Sequence, residues 1–505
     1  MQTPFRRINL RHLCLDVLLL TLIAIPLTNG FVAGQALRPD FVLWGDTPWY
    51  LNRSMLIQHG IWPEAFVYTL GYPAIVSLLQ VFTGNLLAAA LLVSRIALWA
   101  FIVGTYVVGH LYFSRRVGYL ACLLVICSTL VRWQSRHLQP HMLFYATIVG
   151  IAIGFWLMLR YPGVRSAVLM GLIINFSFFT RFEGIAYSVT LPLAGLLIYR
   201  LHGWKAALKV LVVSGGLIAI GFIYYMSILL PVSDPNYAGS FSLLSLFLQN
   251  PIPVDQLLLR VTQTYDSLTI IWGWPVWVLA IVAGLWGWRR AESSLGYLIC
   301  LGVIGLNLFI LYVLATAPHY RLVGPVYPFV AILFVDLFIQ LGRRFPTWRY
   351  AFLLPIIILA VPELFVTMRL SVRPAPDLTR YPEYQAAMNL DQELNERGWA
   401  DREIFTFCRE VVPFSGSHLH LMYRLAFRDE NTPDNWNSPE NLFARMASSG
   451  ALFMTCPTYT QYVYWRDWKD WLEGKVQLSY DLQAVAEIGE FTLFQAVPHK
   501  SSTVG

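Results

Sequence analysis

Apolar residues run along this chain in long blocks separated by short polar stretches. Eleven blocks approach the roughly 20 residues that a helix needs to cross hydrocarbon, where no backbone group can stay unpaired. They are residues 13–33, 86–112, 117–131, 142–160, 166–180, 183–200, 207–230, 271–288, 295–315, 322–342 and 350–368. The blocks at 117–131, 166–180 and 183–200 are shorter than the rest. After residue 368 the pattern changes. Helical stretches at 384–397 and 439–448 alternate with short apolar runs at 404–407, 451–454 and 489–496. The pattern predicts a polytopic α-helical membrane bundle over 1–368, with about eleven spans, and a small soluble α/β domain over 369–505.

Charge sharpens this division. Only 13% of the 505 residues are charged and 57% are apolar, against roughly 25% charged in ordinary soluble domains. Residues 1–368 carry 23 basic and 11 acidic side chains, whereas 369–505 carry 13 and 18. A soluble enzyme, a disordered chain and a nucleic-acid binder are excluded, because the basic excess flanks the apolar blocks instead of lining a groove. With eleven spans, fifteen cations fall on one face: Arg6, Arg7, Arg11, Arg115, Arg116, Arg160, Arg165, Arg200, Lys205, Lys209, Arg289, Arg290, Arg343, Arg344 and Arg349. The positive-inside rule makes that face cytoplasmic, together with the N-terminus. The loops 34–85, 132–141 and 231–270 and the soluble domain then lie outside. The stretch Val32-Ala33-Gly34-Gln35-Ala36 leaves a cleaved leader as the alternative for the first block, with the remaining topology unchanged.

Cysteine usage adds little chemistry. Cys14, Cys122, Cys127 and Cys300 sit in apolar blocks and read as small apolar residues. Cys408 and Cys456 each end an apolar run in the exported part, where a disulfide or two buried thiols both fit. No CxxC or HExxH pattern points to zinc.

Polar residues at the outer ends of the blocks are the candidates for function, since charge at a membrane needs a reason. The first outer loop carries Asp46 between Gly45 and Pro48, then Trp49, Tyr50 and Arg53, then Gly71-Tyr72-Pro73. Asp46 reads as a helix N-cap or as an acid in a site. The aromatic residues read as an interfacial belt or as a stacking surface for sugar rings. In the second outer loop, Arg132, Arg136, His137 and His141 suit a phosphate or ordinary anionic lipid. Thr180-Arg181-Phe182-Glu183-Gly184 joins two blocks almost without a loop, either as a local ion pair or as an Arg fork for phosphate. His319-Tyr320-Arg321 precedes Pro325 and Pro328, placing a cation near a helix start. Arg95 lies about 13 Å into its block at 1.5 Å per residue. It calls for a carboxylate or lipid phosphate. Asp336 and Glu363 also fall inside blocks.

In this order, the acid of the first loop, Gly71-Tyr72-Pro73, Thr180-Arg181-Phe182-Glu183-Gly184 and His319-Tyr320-Arg321 with Pro325 and Pro328 resemble the GT-C superfamily of membrane glycosyltransferases. That group holds protein O-mannosyltransferases and the lipid A aminoarabinose transferase. Thr180 to Gly184 is similar to the family's T-R-x-E-G stretch, and the last element to its R-Y-x-x-P-x-x-P stretch. The chain departs from the pattern in having a single Asp46, with no second acid beside it, and in placing Tyr320 before Arg321. The resemblance implies an inverting transfer of sugar from a polyprenyl-phosphate donor to an envelope acceptor on the extracytoplasmic face. Asp46 is then the catalytic base. Arg321, His319, Arg181, Arg136, His137 and Arg95 would bind the donor phosphate, and Tyr50, Arg53, Tyr72, Glu183 and Tyr320 would contact substrate. No cofactor is required, and a divalent cation at Asp46 with nearby His residues is the one that the resemblance leaves open. The expected partners are the lipid-linked sugar, the acceptor and membrane lipid, with no nucleic acid. A flippase for lipid-linked sugars would instead show paired repeats and broken midplane helices. A non-catalytic scaffold would bind an envelope partner through its exported tail, and a glycan ligase or polymerase would carry its chemistry in a late outer loop.

Overall fold

The computed structural model describes residues 9–36, 46–60, 69–225, 272–288, 294–310, 323–371, 377–408, 411–417, 419–421, 438–457 and 466–499. The loop 231–270 and the candidates His319, Tyr320 and Arg321 lie outside the described residues.

Helices occupy the apolar blocks and parts of the loops between them. They are α1 (Leu10–Ala36), α2 (Thr47–Gln58), α3 (Gly71–Thr83), α4 (Leu86–Tyr112), α5 (Arg115–Ile126), α6 (Thr129–Ser135), α7 (His141–Arg160) and α8 (Val164–Thr180). A 3-10 turn at Phe182–Val189 leads into α9 (Thr190–His202), followed by α10 (Trp204–Tyr224), α11 (Gly273–Gly287) and α12 (Ser294–Phe309). A second 3-10 turn at Gly324–Val326 opens α13 (Tyr327–Arg344), and α14 (Leu354–Ser371) ends the bundle. Among the described residues, six helical stretches are long and apolar enough to cross a membrane: Leu86–Tyr112, His141–Arg160, Glu183–His202, Trp204–Tyr224, Gly324–Arg344 and Ala351–Arg369. The helices α8, α11 and α12 are apolar but shorter.

Local chemistry sets the boundaries. Gly84, at φ +67°, ends α3, and the side chain of Asn85 accepts from Ala88 N at 3.0 Å to begin α4. The block expected at 117–131 is two helices, because α5 stops at Ile126 and α6 starts at Thr129. Arg132 folds back at this break, donating to Cys127 O at 2.9 Å and pairing with Glu363 of α14. The block expected to begin at 183 starts as a 3-10 turn, for a packing reason given below.

The helices α4, α7 and α13 are mostly buried, whereas α10 and α14 expose Leu208, Val212, Ile220, Ile358 and Phe365. Exposed apolar faces of this kind suit lipid, not water. Several charges inside the bundle are matched. Asp16 of α1 accepts from Arg115 at 2.6 and 2.5 Å and from the Tyr106 hydroxyl, and Asp336 accepts from the Tyr297 hydroxyl.

The described strands lie between residues 404 and 498. After α15 (Pro382–Glu396) come β1 (Ile404–Thr406), β2 (Leu419–Leu421), α16 (Pro439–Ser449), β3 (Leu452–Thr455), α17 (Arg466–Leu472), β4 (Tyr480–Ile488) and β5 (Phe491–Pro498). The sheet order is β2-β1-β3-β5-β4. β1 is parallel to both neighbours, with Ile404 opposite Leu419 and Leu452, and β5 is antiparallel to β3 and β4. One face packs Phe405, Phe407 and Phe453 against Phe443 and Trp468. The other packs Ile404, Leu452 and Met454 with Leu390 and Leu394 of α15, continuous with the bundle core. Cys408 and Cys456, just past the ends of β1 and β3, form a disulfide.

Candidate functional site

The site is organised by α2. Asp46 holds the N-cap position and Pro48 sits in the first turn, yet the Asp46 side chain makes no capping hydrogen bond to its own helix. Thr47 through Leu56 are all buried, including Asn52, Arg53 and Ser54. Buried polar groups require partners. The Arg53 guanidinium stacks on the Trp49 ring at 3.6 Å, and Ser54 Oγ donates to Tyr50 O at 2.9 Å. Gln139 Nε2 donates to Thr47 Oγ1 at 3.0 Å, bringing the stretch 132–141 to the residue after Asp46. Asn52 Nδ2 donates to Leu419 O at 2.6 Å, and Leu421 N donates to Asn52 Oδ1 at 3.2 Å. The amide of Asn52 thereby fastens the free edge of β2 to the helix that begins at Asp46.

Two short elements singled out in the sequence pack directly on each other. Thr69 Oγ1 donates to Thr180 O at 2.6 Å. A Cβ on Gly71 would stand 2.4 Å from Phe179 O and 2.9 Å from Thr180 N, so only glycine admits this contact. A Cβ on Gly184 would stand 2.4 Å from the backbone of Ser177, which is why the chain winds tightly here before α9 begins. Tyr72 then reaches Tyr50 of α2 edge to face, with ring centroids 5.8 Å apart.

Arg181 lies at the centre of this packing, largely buried at the end of α8. Its Nε and Nη2 fork onto Glu183 at 3.1 and 2.5 Å, and its Nη1 meets His141 Nδ1 at 2.7 Å. Burial works against the Arg181 charge, but the carboxylate of Glu183 outweighs it and holds the guanidinium protonated well above its ordinary range. A guanidinium only donates, so His141 Nδ1 must accept, which places the proton of a neutral ring on Nε2. Tyr50 and Tyr145 also face the Arg181 charge. Gly324 packs against the Tyr145 ring, so the turn three residues beyond Arg321 reaches the same cluster.

The structure therefore brings together Tyr50, Tyr72, Arg181 and Glu183 of the expected residues. Arg53 adjoins them on α2, and Asp46 lies one helical turn before Tyr50, whose N–H donates to Asp46 O at 3.1 Å. His137 instead lies edge-on to Trp133, and burial with the neighbouring Arg136 pushes its ring down to about 3, hence uncharged. Arg136 caps the end of α6. Arg95 stands apart on α4. Sequence reasoning did not single out Asn52, Tyr145 or the contact between His141 and Arg181. Spacing alone pairs His141 with Tyr145, four residues apart on one face of α7. Among the described residues no three His, Cys, Asp or Glu side chains gather in a metal-ligating group. A cavity of about 580 Å³ lined by Leu157, Tyr161 and Arg165 opens at the other end of α7.

No protein-family model and no curated protein sequence matches this chain. Solved structures do match it in fold. ArnT from Cupriavidus metallidurans, bound to undecaprenyl phosphate, superposes with a TM-score of 0.53 at 13% identity, over 95% of this chain and 97% of that one. AglB, the oligosaccharyltransferase of Archaeoglobus fulgidus held with an inhibitory peptide and a dolichol-phosphate, gives 0.50 at 12% over 96% and 76%. The mycobacterial arabinofuranosyltransferase AftD gives 0.51 at 11%, with 97% of this chain covering 40% of that one. This chain shares its fold with these three membrane glycosyltransferase structures.

Proposed function

We propose that the chain is an inverting glycosyltransferase that moves a sugar from a polyprenyl-phosphate donor to a hydroxyl of an envelope acceptor. The observation that carries this reading is the packing of Gly71-Tyr72 onto Thr180-Arg181, which sets a buried Arg fork beside the helix that starts at Asp46. The fold it occurs in is one whose solved examples hold polyprenyl or dolichol phosphates. In this reading the bundle 1–368 crosses the membrane eleven times from a cytoplasmic N-terminus, and residues 369–505 are extracytoplasmic. The disulfide between Cys408 and Cys456 agrees with an oxidising compartment.

The acceptor oxygen attacks the anomeric carbon as the bond from that carbon to the phosphate oxygen breaks. The acceptor proton passes to the Asp46 carboxylate, and the bonding electrons leave with the phosphate. One carboxylate suffices, because an ionised phosphate needs no general acid, unlike the leaving group of a glycosidase. Arg181 stabilises the departing phosphate, together with Arg321 and His319 as the resemblance in sequence implies. Glu183 orients Arg181, while Tyr50 and Tyr72 wall the sugar. The test is Asp46→Asn in purified protein supplied with polyprenyl-phosphate sugars, followed by mass spectrometry of the products. A loss of about 10²- to 10⁴-fold is expected for removal of a general base. Unchanged transfer discards Asp46 as the base, and translocation of intact donor without transfer replaces the enzyme with a flippase.

A further inference from the structure

The strand β2 is three residues long and lies at the edge of the sheet, paired on one side with β1. The N–H and C=O groups of its other edge must be matched elsewhere. Asn52 of α2 matches them. In a parallel pair, a residue gives its N–H to the carbonyl before its partner and accepts the N–H after it. The Asn52 amide does the same about His420. Its Nδ2 donates to Leu419 O at 2.6 Å, and its Oδ1 accepts from Leu421 N at 3.2 Å. One side chain thus stands in for a neighbouring strand.

The strand that Asn52 grips is itself held from behind. Leu419 N donates to Ser417 O at 2.8 Å. Ser415 Oγ and Ser417 Oγ each donate to Asp391 Oδ1 at 2.6 Å, and Gly416 N donates to Asp391 Oδ2 at 2.7 Å. These bonds are charge-assisted, and they fix the turn before β2 to α15. His420 is buried and stacks on Phe405 of β1, with ring centroids 4.8 Å apart. A continuous hydrogen-bonded path therefore runs from Asp391 through Ser417 and β2 to Asn52. It ends on α2 six residues after Asp46 and two after Tyr50. A second tie, Gln139 to Thr47, holds the first turn of α2. Thr47 and Asn52 lie about 7.5 Å apart along the helix axis. One tie leaves a helix free to pivot, whereas two at different heights do not.

We infer that Asn52 is a positioning residue for the proposed transfer. Through it the sheet, braced at Asp391, holds Asp46 and Tyr50 in register with the Arg181 cluster. Reacting groups must be kept within about 0.5 Å of the productive geometry, and a shift of about 1 Å costs about 10²-fold in rate. This inference rests on the glycosyltransferase reading.

The test uses the full chain in nanodiscs, with kinetics of transfer from a polyprenyl-phosphate sugar measured well below each variant's melting temperature. Asn52→Ala and Asp391→Ala should each lower kcat by about 10- to 10²-fold while the KM for the donor stays near wild type. The double variant should be no slower than the slower single one, since both cut one path. Amide exchange at Tyr50, whose N–H closes the first turn of α2, should accelerate in both. If Asn52→Ala does not fold, Asn52→Asp serves in its place. It is nearly isosteric and sets a carboxylate oxygen against Leu419 O, so it should lose kcat alike. A lowered melting temperature with wild-type kcat makes the path structural only and overturns the inference, as do losses that multiply in the double variant. If wild type transfers no sugar but exchange at Tyr50 still responds to Asp391→Ala, the enzymatic reading alone is wrong. If wild type transfers sugar and neither single variant changes kcat, the positioning role alone is wrong.

Discussion

Replacing Gly71 with alanine tests whether the contact between the two short elements sets the site. The added Cβ would lie 2.4 Å from Phe179 O, 2.6 Å from Phe179 C and 2.9 Å from Thr180 N, all backbone atoms that cannot rotate away. Ordinary contact begins at 3.4 Å, so the strand of chain carrying Thr180 and Arg181 must recede from α3 by about 1 Å. That shift lengthens the 2.6 Å bond from Thr69 Oγ1 to Thr180 O beyond hydrogen-bonding range. A displacement of about 1 Å at a reacting centre costs about 10²-fold in rate, or about 2.7 kcal/mol of transition-state stabilisation. Overpacking itself destabilises the fold by about 1–3 kcal/mol. The assay is kcat/KM for transfer from a polyprenyl-phosphate sugar in nanodiscs, with thermal melting measured in parallel. Gly215→Ala in α10 is the control, since its Cβ meets no atom within 4 Å and its rate should match wild type. A folded Gly71→Ala protein turning over within about twofold of wild type would refute the reasoning that the 1 Å register matters.

The remaining predictions concern the sheet and its attachment. Asn52→Ala removes two buried hydrogen bonds and strands Leu419 O and Leu421 N, for about 2 kcal/mol. Amide exchange at Leu421 should then accelerate about thirtyfold, and an unchanged rate means that the amide carries no load. Cys408→Ser with Cys456→Ser opens a loop closed over a separation of 48 residues, and should lower stability by about 4 kcal/mol in thermal melts under otherwise equal conditions. The His420 ring, 3.6 Å away, and the Arg445 charge, against the opposing effect of burial, hold Glu403 down at about 2. A depressed carboxyl stabilises the fold above its unfolded value of about 4.3 and loses that contribution as pH falls toward 2. Glu403→Gln should therefore flatten the melting temperature between about pH 4 and pH 2, and an unaltered acid slope assigns that slope to other carboxyls.

How much of this was legible in the sequence depends on the range of each interaction. Apolar blocks report burial directly, so a helix stands in each of the eleven, although 117–131 breaks at Cys127 because Arg132 finds a carbonyl there and a carboxylate 231 residues away. The Arg181–Glu183 fork is local and could be read from two letters. The partnership of Arg181 with His141 spans 40 residues, and that of Asn52 with β2 spans more than 360, and nothing in spacing announces either. The glycines were visible as parts of short elements. That Gly71 touches the residues just before Arg181 is a fact of packing, which no one-dimensional pattern encodes.

The rule that a charge within a membrane marks function holds less often here than the sequence implies. Asp16, Arg132, Asp336 and Glu363 all sit in or against apolar helices, and each has a structural bond that staples one helix to another. An ion pair of this sort offsets its own desolvation and leaves little binding capacity for a ligand. What sets Arg181 apart is that its carboxylate partner, Glu183, lies two residues away on the same stretch of chain. The sequence thus locates charges but not their partners. Asp46 stands where a carboxylate would cap a helix, and it makes no capping bond to that helix.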